Sequence, residues 1–231
     1  MNYLSWNEQT ITDFSEKNIS DMYNCGYVFT RIGKGVMQQT RSVRIDLSKF
    51  ELSSENKRIL KKMEGLMIQD ICLPLSADTY DFKVGKLAKD FYETKFGPGI
   101  MSAQKIKEML TDKARSNFNV LLEYTLDAQV LGYAIAFASK KSAFIHYSYP
   151  FYDLEKSPKD MGLGMMTATI DEAKRDGSKY IYLGSLQRPG DTYKLQFQGL
   201  EWFDGQKWST DLEEAKKVLR EVPPPGSSNS K

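Results

Sequence analysis

The sequence predicts an α+β fold, a central and mostly antiparallel sheet flanked by helices, and three observations point to it. Residues 119–126 and 130–138 are apolar runs joined at Asp127-Ala128, and a third run, residues 143–149, follows at once. Between that run and the apolar residues 180–183 lies a segment with helical spacing that ends at Gly177. Two earlier segments, from Ser53 and from Tyr80, also place apolar residues at helical intervals.

In chain order, Thr12 or Ser15 caps a short helix that carries Ile19 and Met22 and ends at Gly26. Residues 27–32 and 36–47 read as a hairpin around Gly33-Lys34-Gly35; a phosphate loop needs a helix after its glycines, and none follows. Ser53 begins a helix whose Ile59, Leu60 and Met63 face inward. On its other side Lys57/Lys61 and Arg58/Lys62 form two rows of positive charge, four residues apart. Residues 80–96 hold Val84, Leu87, Ala88, Phe91 and Tyr92 at helical spacing and stop at Gly97-Pro98-Gly99. Ser102 caps a shorter helix with Ile106, Met109 and Leu110. The strand from Ala143 is expected to end at Pro150, which has no N–H for a ladder. Gly162 and Gly164 open the next helix, and Lys174 and Arg175 in its last turn suit the helix dipole. Asp204-Gly205, flanked by Trp202-Phe203 and Trp208, is a hairpin turn, and residues 211–220 form a last helix with acids first and bases last. The organisation expected is a basic hairpin-and-helix region (1–70) packed on a core (71–221), then a disordered Pro/Ser-rich tail (222–231).

Composition narrows the chemistry. With 231 residues the chain can bury a substantial core without staples, and its 41% hydrophobic and 27% charged residues are those of a globular protein. No apolar run approaches a membrane span, and the first residues lack the regions of a signal peptide, so a cytoplasmic location without membrane partners is expected. Cys25, Cys72 and the single His146 offer no metal spacing, so neither a metal nor another cofactor is expected. The net charge of +2 hides a local imbalance: residues 31–62 carry nine Lys/Arg against Asp46, Glu51 and Glu55. Such a stretch is either a solvated face or a phosphate-backbone contact surface.

Two glycines at a helix start let backbone N–H groups approach an anion, with Lys159 as a nearby cation; the same glycines equally permit tight packing. The pattern Lys159-x-x-Gly162-x-Gly164 between a strand and a helix resembles the donor-binding turn of GNAT acyltransferases, which implies a GNAT-like core. Several ordered segments extend the likeness. They include Cys25-Gly26-Tyr27-Val28-Phe29, Val43-Arg44-Ile45-Asp46-Leu47, Lys57-Arg58-Ile59-Leu60-Lys61, Tyr147-Ser148-Tyr149-Pro150-Phe151-Tyr152-Asp153, Tyr180-Ile181-Tyr182-Leu183-Gly184 and Tyr193-Lys194-Leu195-Gln196-Phe197. Together they resemble the arginyl-tRNA-protein transferase family, which attaches an amino acid from aminoacyl-tRNA to a protein N-terminus. The chain departs from that family in lacking its cysteine clusters, with Val36-Met37-Gln38-Gln39-Thr40-Arg41 where a cysteine pair stands.

The resemblance implies aminoacyl-tRNA and a protein or peptide N-terminus as partners. In that picture Lys159, Gly162, Leu163 and Gly164 hold the donor's phosphate or terminal adenosine, and Arg41, Arg44, Lys57, Arg58, Lys61 and Lys62 contact the tRNA backbone. Tyr182, Tyr193 and Lys194 face the acceptor, or simply pack. A backbone N–H of the strand holding residues 146–149 is the natural oxyanion donor. His146 is a candidate general base, with Tyr147 and Tyr149 as alternatives, and a structural histidine remains the competing reading. An acyl-CoA-dependent N-acyltransferase and a non-catalytic tRNA- or peptide-binding relative are the other functions this pattern allows.

Overall fold

A computed structural model describes residues 4–221, so the expected tail, residues 222–231, lies outside the described residues. In chain order the elements are β1 (Asn7–Thr10), α1 (Glu16–Asn24), β2 (Tyr27–Phe29), β3 (Val36–Gln39), β4 (Ser42–Asp46), α2 (Ser54–Lys62), β5 (Met67–Cys72), α3 (Phe82–Phe96) and α4 (Ala103–Thr111). The second half adds β6 (Val120–Leu126), β7 (Gln129–Ser139), β8 (Phe144–Tyr152), α5 (Met161–Arg175), β9 (Tyr180–Ser185), a 3-10 helix (Pro189–Gln196), β10 (Leu200–Phe203), β11 (Trp208–Ser209) and α6 (Leu212–Arg220).

The large sheet runs β11-β10-β4-β9-β8-β7-β6-β5 and is antiparallel except between β8 and β9. Helix α5 is the crossover that a parallel pair requires. This is the mixed α+β arrangement the sequence predicts. Its two faces carry separate cores: α2, α5 and α6 cover one, while α1, α3, α4 and the small β1-β3-β2 sheet cover the other. The first 70 residues supply β4 to the middle of this sheet, and β5 spans the boundary expected at residue 70.

Local chemistry explains the elements. Ser15, Asp81, Ser102 and Asp211 accept a first-turn N–H at four helix starts, and Ser53 makes a reciprocal box with Asn56. At the end of α5 Gly177 takes φ +78°, and Ser178 N–H returns to the Ala173 carbonyl, which satisfies the last turn.

Three expectations need correction, and two strands were not foreseen. The hairpin's second strand divides at Thr40-Arg41, where Ser42 N–H turns back to the Thr40 carbonyl, sending β3 and β4 into different sheets. Strand β8 runs through Pro150 to Tyr152. It pairs with β9 only over residues 144–146, so the missing proline N–H removes nothing from that ladder. Helix α5 starts at Met161, before both glycines, after Asp160 adopts a left-handed conformation. The polar β1 and the edge strand β5, Met-Ile-Gln-Asp-Ile-Cys, have mostly exposed side chains and too weak an alternation to be read.

Candidate active site

After His146 and Tyr182 the parallel pairing of β8 and β9 stops, and the two strands part. Tyr149 takes φ +40° beside the register shift opposite Ala134 and Ile135, which turns β8 away from its neighbour. A cavity of about 950 Å³ fills the gap. Residues 146–150 of β8 and 183–185 of β9 form its floor, α3 supplies Phe91, Tyr92 and Phe96, and α5 supplies Gly162, Leu163 and Met166. Residues 28–32 and the segment from Gln187 to Lys194 line it as well, and the Arg188 guanidinium lies 4.6 Å from the Phe96 ring centre.

His146 is 3% exposed, and its Nδ1 stands 2.9 Å from the Tyr23 hydroxyl. Burial, with the Lys194 charge nearby, lowers its pKa from 6.5 to about 3, so the imidazole is neutral at physiological pH and a weak base. Tyr147 and Ser148 also line the cavity; the buried Ser148 hydroxyl has no hydrogen-bond partner among the described residues, and the Tyr147 hydroxyl faces that of Tyr124. Tyr149 lines it as well, with its ring edge-on to Phe118 at 5.4 Å.

Lys194 is buried, and its Nζ donates to the Ser185 carbonyl at 2.9 Å. Burial lowers its pKa, Asp191 opposes that shift, and Arg188 adds to it. The Asp191 carboxylate accepts N–H groups from Gln187 (2.8 Å) and Arg188 (3.0 Å), which fixes the turn carrying Arg188 and Lys194. Arg31, Lys95, Arg188 and Lys194 line the cavity with Asp191 as the one carboxylate among the lining residues, so its field is positive. Sequence reading missed Tyr23, Arg31, Lys95, Arg188 and Asp191, which lie in four separate segments that only the fold brings together.

No protein-family model matches the chain. Curated relatives do match it. Their name is aspartate/glutamate leucyltransferase. The protein of Stutzerimonas stutzeri (strain A1501) is 26% identical over 170 residues, covering 72% of this chain and 69% of its own. That of Saccharophagus degradans (strain 2-40) is 23% identical over 195 residues and 80% of each chain. These relatives are enzymes named for moving leucine, so the likeness to aminoacyl transferases stands while its arginyl part is not carried by their name. Among solved structures, L-PGS from Bacillus licheniformis superposes with a TM-score of 0.48 at 12% identity, covering 90% of this chain and 70% of that one. The C-terminal domain of a putative lysylphosphatidylglycerol synthetase from Agrobacterium fabrum gives 0.46 at 12% identity; it covers 78% of this chain, which spans 55% of that one. The aminoglycoside acetyltransferase meta-AAC0020 gives 0.36 at 14%, covering 67% and 88%.

The structure distributes the remaining sequence candidates unevenly. Gly162 and Leu163 line the cavity, and a Cβ on Gly162 would lie 3.1 Å from the Tyr152 ring. Gly164 does not reach the cavity: its Cβ position is 2.5 Å from Met63 Cγ, so this glycine lets α2 and α5 approach. Lys159 is exposed on the loop before α5. Tyr193 and Lys194 line the cavity, whereas Tyr182, 1% exposed, sits in the aromatic core against Tyr23, Phe144 and Trp208.

Arg44 leaves the basic surface altogether. Strand β4 buries it, Glu201 accepts from its Nε at 2.8 Å, and the rings of Tyr180 and Trp208 cover the guanidinium at 4.2 and 4.0 Å. Arg41 is half-buried between β3 and β4. Lys57, Arg58, Lys61 and Lys62 are exposed on α2; Arg58 is paired with Glu55, and Lys62 is paired with Asp160 at the start of α5. That last pair sets the basic end of α2 beside the helix start that borders the cavity. No helix among the described residues is long and apolar enough to cross a membrane.

Proposed function

We propose that this protein transfers leucine from leucyl-tRNA to the N-terminal amine of a protein or peptide that begins with aspartate or glutamate. The observation that carries the reading is the cavity between β8 and β9, which has the rings of Phe91, Tyr92 and Phe96 on α3 and is lined by four cations, Lys95 of α3 among them, against one carboxylate. A leucyl side chain suits Phe91, Tyr92 and Phe96, and an acidic acceptor side chain suits Lys194 and Arg188. The names of the curated relatives support the same pair of substrates. An arginyl donor fits less well, because its guanidinium would join the four cations.

An aminoacyl ester is already activated, so the reaction needs no covalent enzyme intermediate. The acceptor's α-amine, with a reference pKa of about 7.7–8.0, is partly neutral near physiological pH and needs no strong base. Its nitrogen bonds to the ester carbon, the bond from that carbon to the tRNA ribose oxygen breaks, and the amine's proton ends on that oxygen. Holding the reactants together supplies up to roughly 7–11 kcal/mol of the barrier reduction. Lys57 and Lys61 are the cations that meet the tRNA backbone, with Arg58 and Lys62 releasing their carboxylates to join them; Lys159, Gly162 and Leu163 border the donor's terminal nucleotide.

An acyl-CoA donor is less well served. Met63 fills the space over Gly164, and the Asp160 carboxylate stands at the helix start where a pyrophosphate needs positive potential. Labelled amino acids from a total charged-tRNA pool, offered with peptides of acidic, basic and apolar N-termini beside labelled acetyl-CoA, test the choice. Leucine is expected on acidic N-termini; label moving from acetyl-CoA alone would overturn the reading.

A further inference from the structure

We propose that His146 serves the transferase reaction inferred above as a fixed hydrogen-bond donor, its Nε2–H directed to the carbonyl oxygen of the ester under attack, and that Tyr23 is the positioning residue that fixes this tautomer. The proposal rests on that reading of the cavity and gives the histidine a role opposite to the general base expected of it.

The tautomer follows from who can donate. Among the described residues the Tyr23 hydroxyl has two hydrogen-bond partners, His146 Nδ1 at 2.9 Å and the Phe29 backbone N–H at 3.4 Å. An amide N–H can only donate, so it uses a lone pair of the hydroxyl and leaves the phenolic proton one acceptor, His146 Nδ1. Nδ1 thus carries no proton, and the ring proton of the neutral imidazole resides on Nε2. The Tyr23 ring is fully buried against Phe29, Phe137, Phe144 and Tyr182, which keeps the phenol protonated and its orientation fixed.

Position gives the donor its use. His146 lines the cavity at the last residue of β8 paired with β9, where the strands part, and the hydrogen bond of its ring among the described residues is made by Nδ1. The Lys194 charge, held at the Ser185 carbonyl of β9, acts on the same ring, so a cation and a neutral N–H face the same space. That combination opposes proton uptake by the ring and favours negative charge on a carbonyl oxygen as the tetrahedral intermediate forms. His146 keeps its proton throughout: the nitrogen–carbon bond forms, the ester bond breaks, and the amine's proton goes to the ribose oxygen.

The chain has one histidine, so a ¹⁵N-labelled protein gives one imidazole spectrum. A pyridine-type Nδ1 and a pyrrole-type Nε2 are expected, unchanged between about pH 5 and 8, and Tyr23→Phe should mix the tautomers. In transfer assays His146→Gln, whose amide N–H occupies the Nε2 position, should keep kcat within about tenfold of the parent, while His146→Ala should lose roughly 10²–10³-fold. A proton on Nδ1, a titration near pH 6.5, or equal losses in the two variants of an otherwise active enzyme would overturn the proposal alone. A parent protein that moves no amino acid from any charged tRNA would overturn the transferase reading and the donor role together, while the tautomer is still read in the spectrum.

Discussion

Lys194 shows how one residue's surroundings set its use. Its ammonium is buried and bonded to a backbone carbonyl, while the nearby Asp191 carboxylate is occupied by two backbone N–H groups. A cation held this way retains capacity for a ligand carboxylate. Lys194→Met should lower kcat/KM for peptides with acidic N-termini by roughly 10–150-fold, the worth of one charge-assisted hydrogen bond. Its melting temperature should fall, because the Ser185 carbonyl loses its donor and the buried Asp191 carboxylate its opposing charge. Arg44 is the opposite case: Arg44→Ala removes the guanidinium packed under two aromatic rings, leaves the largely buried Glu201 carboxylate with Lys49 alone at 3.7 Å, and should cost up to about 3–5 kcal/mol in urea denaturation. The sequence reading put Lys194 at the acceptor and Arg44 on the surface that meets the tRNA backbone. Only the fold tells that one faces a cavity and the other an ion pair.

At the scale of elements, α2 and α5 belong together. Met63 presses on Gly164, and Lys62 pairs with Asp160, so this junction packs the helices and ties the end of α2 to the cavity's edge. Gly164→Ala forces a carbon into occupied space and should destabilise the protein by about 1–3 kcal/mol, measured by thermal or urea unfolding. Lys57→Glu with Lys61→Glu should leave stability unchanged and raise KM for charged tRNA. The salt dependence of binding should also flatten, by about 0.7–0.9 in the log–log slope for each phosphate that is no longer neutralised. Helices with a capping residue and a periodic apolar face were legible in the sequence, as Ser53, Ser102 and Asp211 illustrate. Strands with little burial were not: β5 exposes most of its side chains, and β1 all of them, so no alternation marked them. The glycine pair was half legible, since spacing found the helix start but could not separate Gly162, at the cavity, from Gly164, between the helices.

Across the whole molecule the segments that build the site are far apart in sequence. Tyr23 meets His146, Leu4 meets Gln187, and β4 enters the middle of a sheet built mostly from later strands. Chemistry assembled by such long-range pairings leaves no local motif, which is why Arg188 and Asp191 escaped the sequence reading while the strand-helix-strand that frames the cavity did not. One consequence reaches global stability. His146 titrates at 6.5 when exposed and at about 3 in the fold, so below pH 6.5 the unfolded chain binds a proton that the folded chain refuses. Its contribution is complete above pH 6.5 and declines as pH falls toward 3, by up to about 1.4 kcal/mol per unit. Stability should therefore drop between about pH 6.5 and 5, ahead of most carboxylates, and His146→Gln should flatten that limb in urea denaturation.

The central claim, leucyl transfer onto an acidic N-terminus bound in the cavity between β8 and β9, meets its most direct test in one ratio: kcat/KM with leucyl-tRNA for a peptide beginning with aspartate over the same peptide beginning with asparagine. The expected ratio is roughly 10² in the parent protein and collapses toward unity in Lys194→Met. A ratio near one in the parent, or one that Lys194→Met leaves unchanged, would contradict the claim.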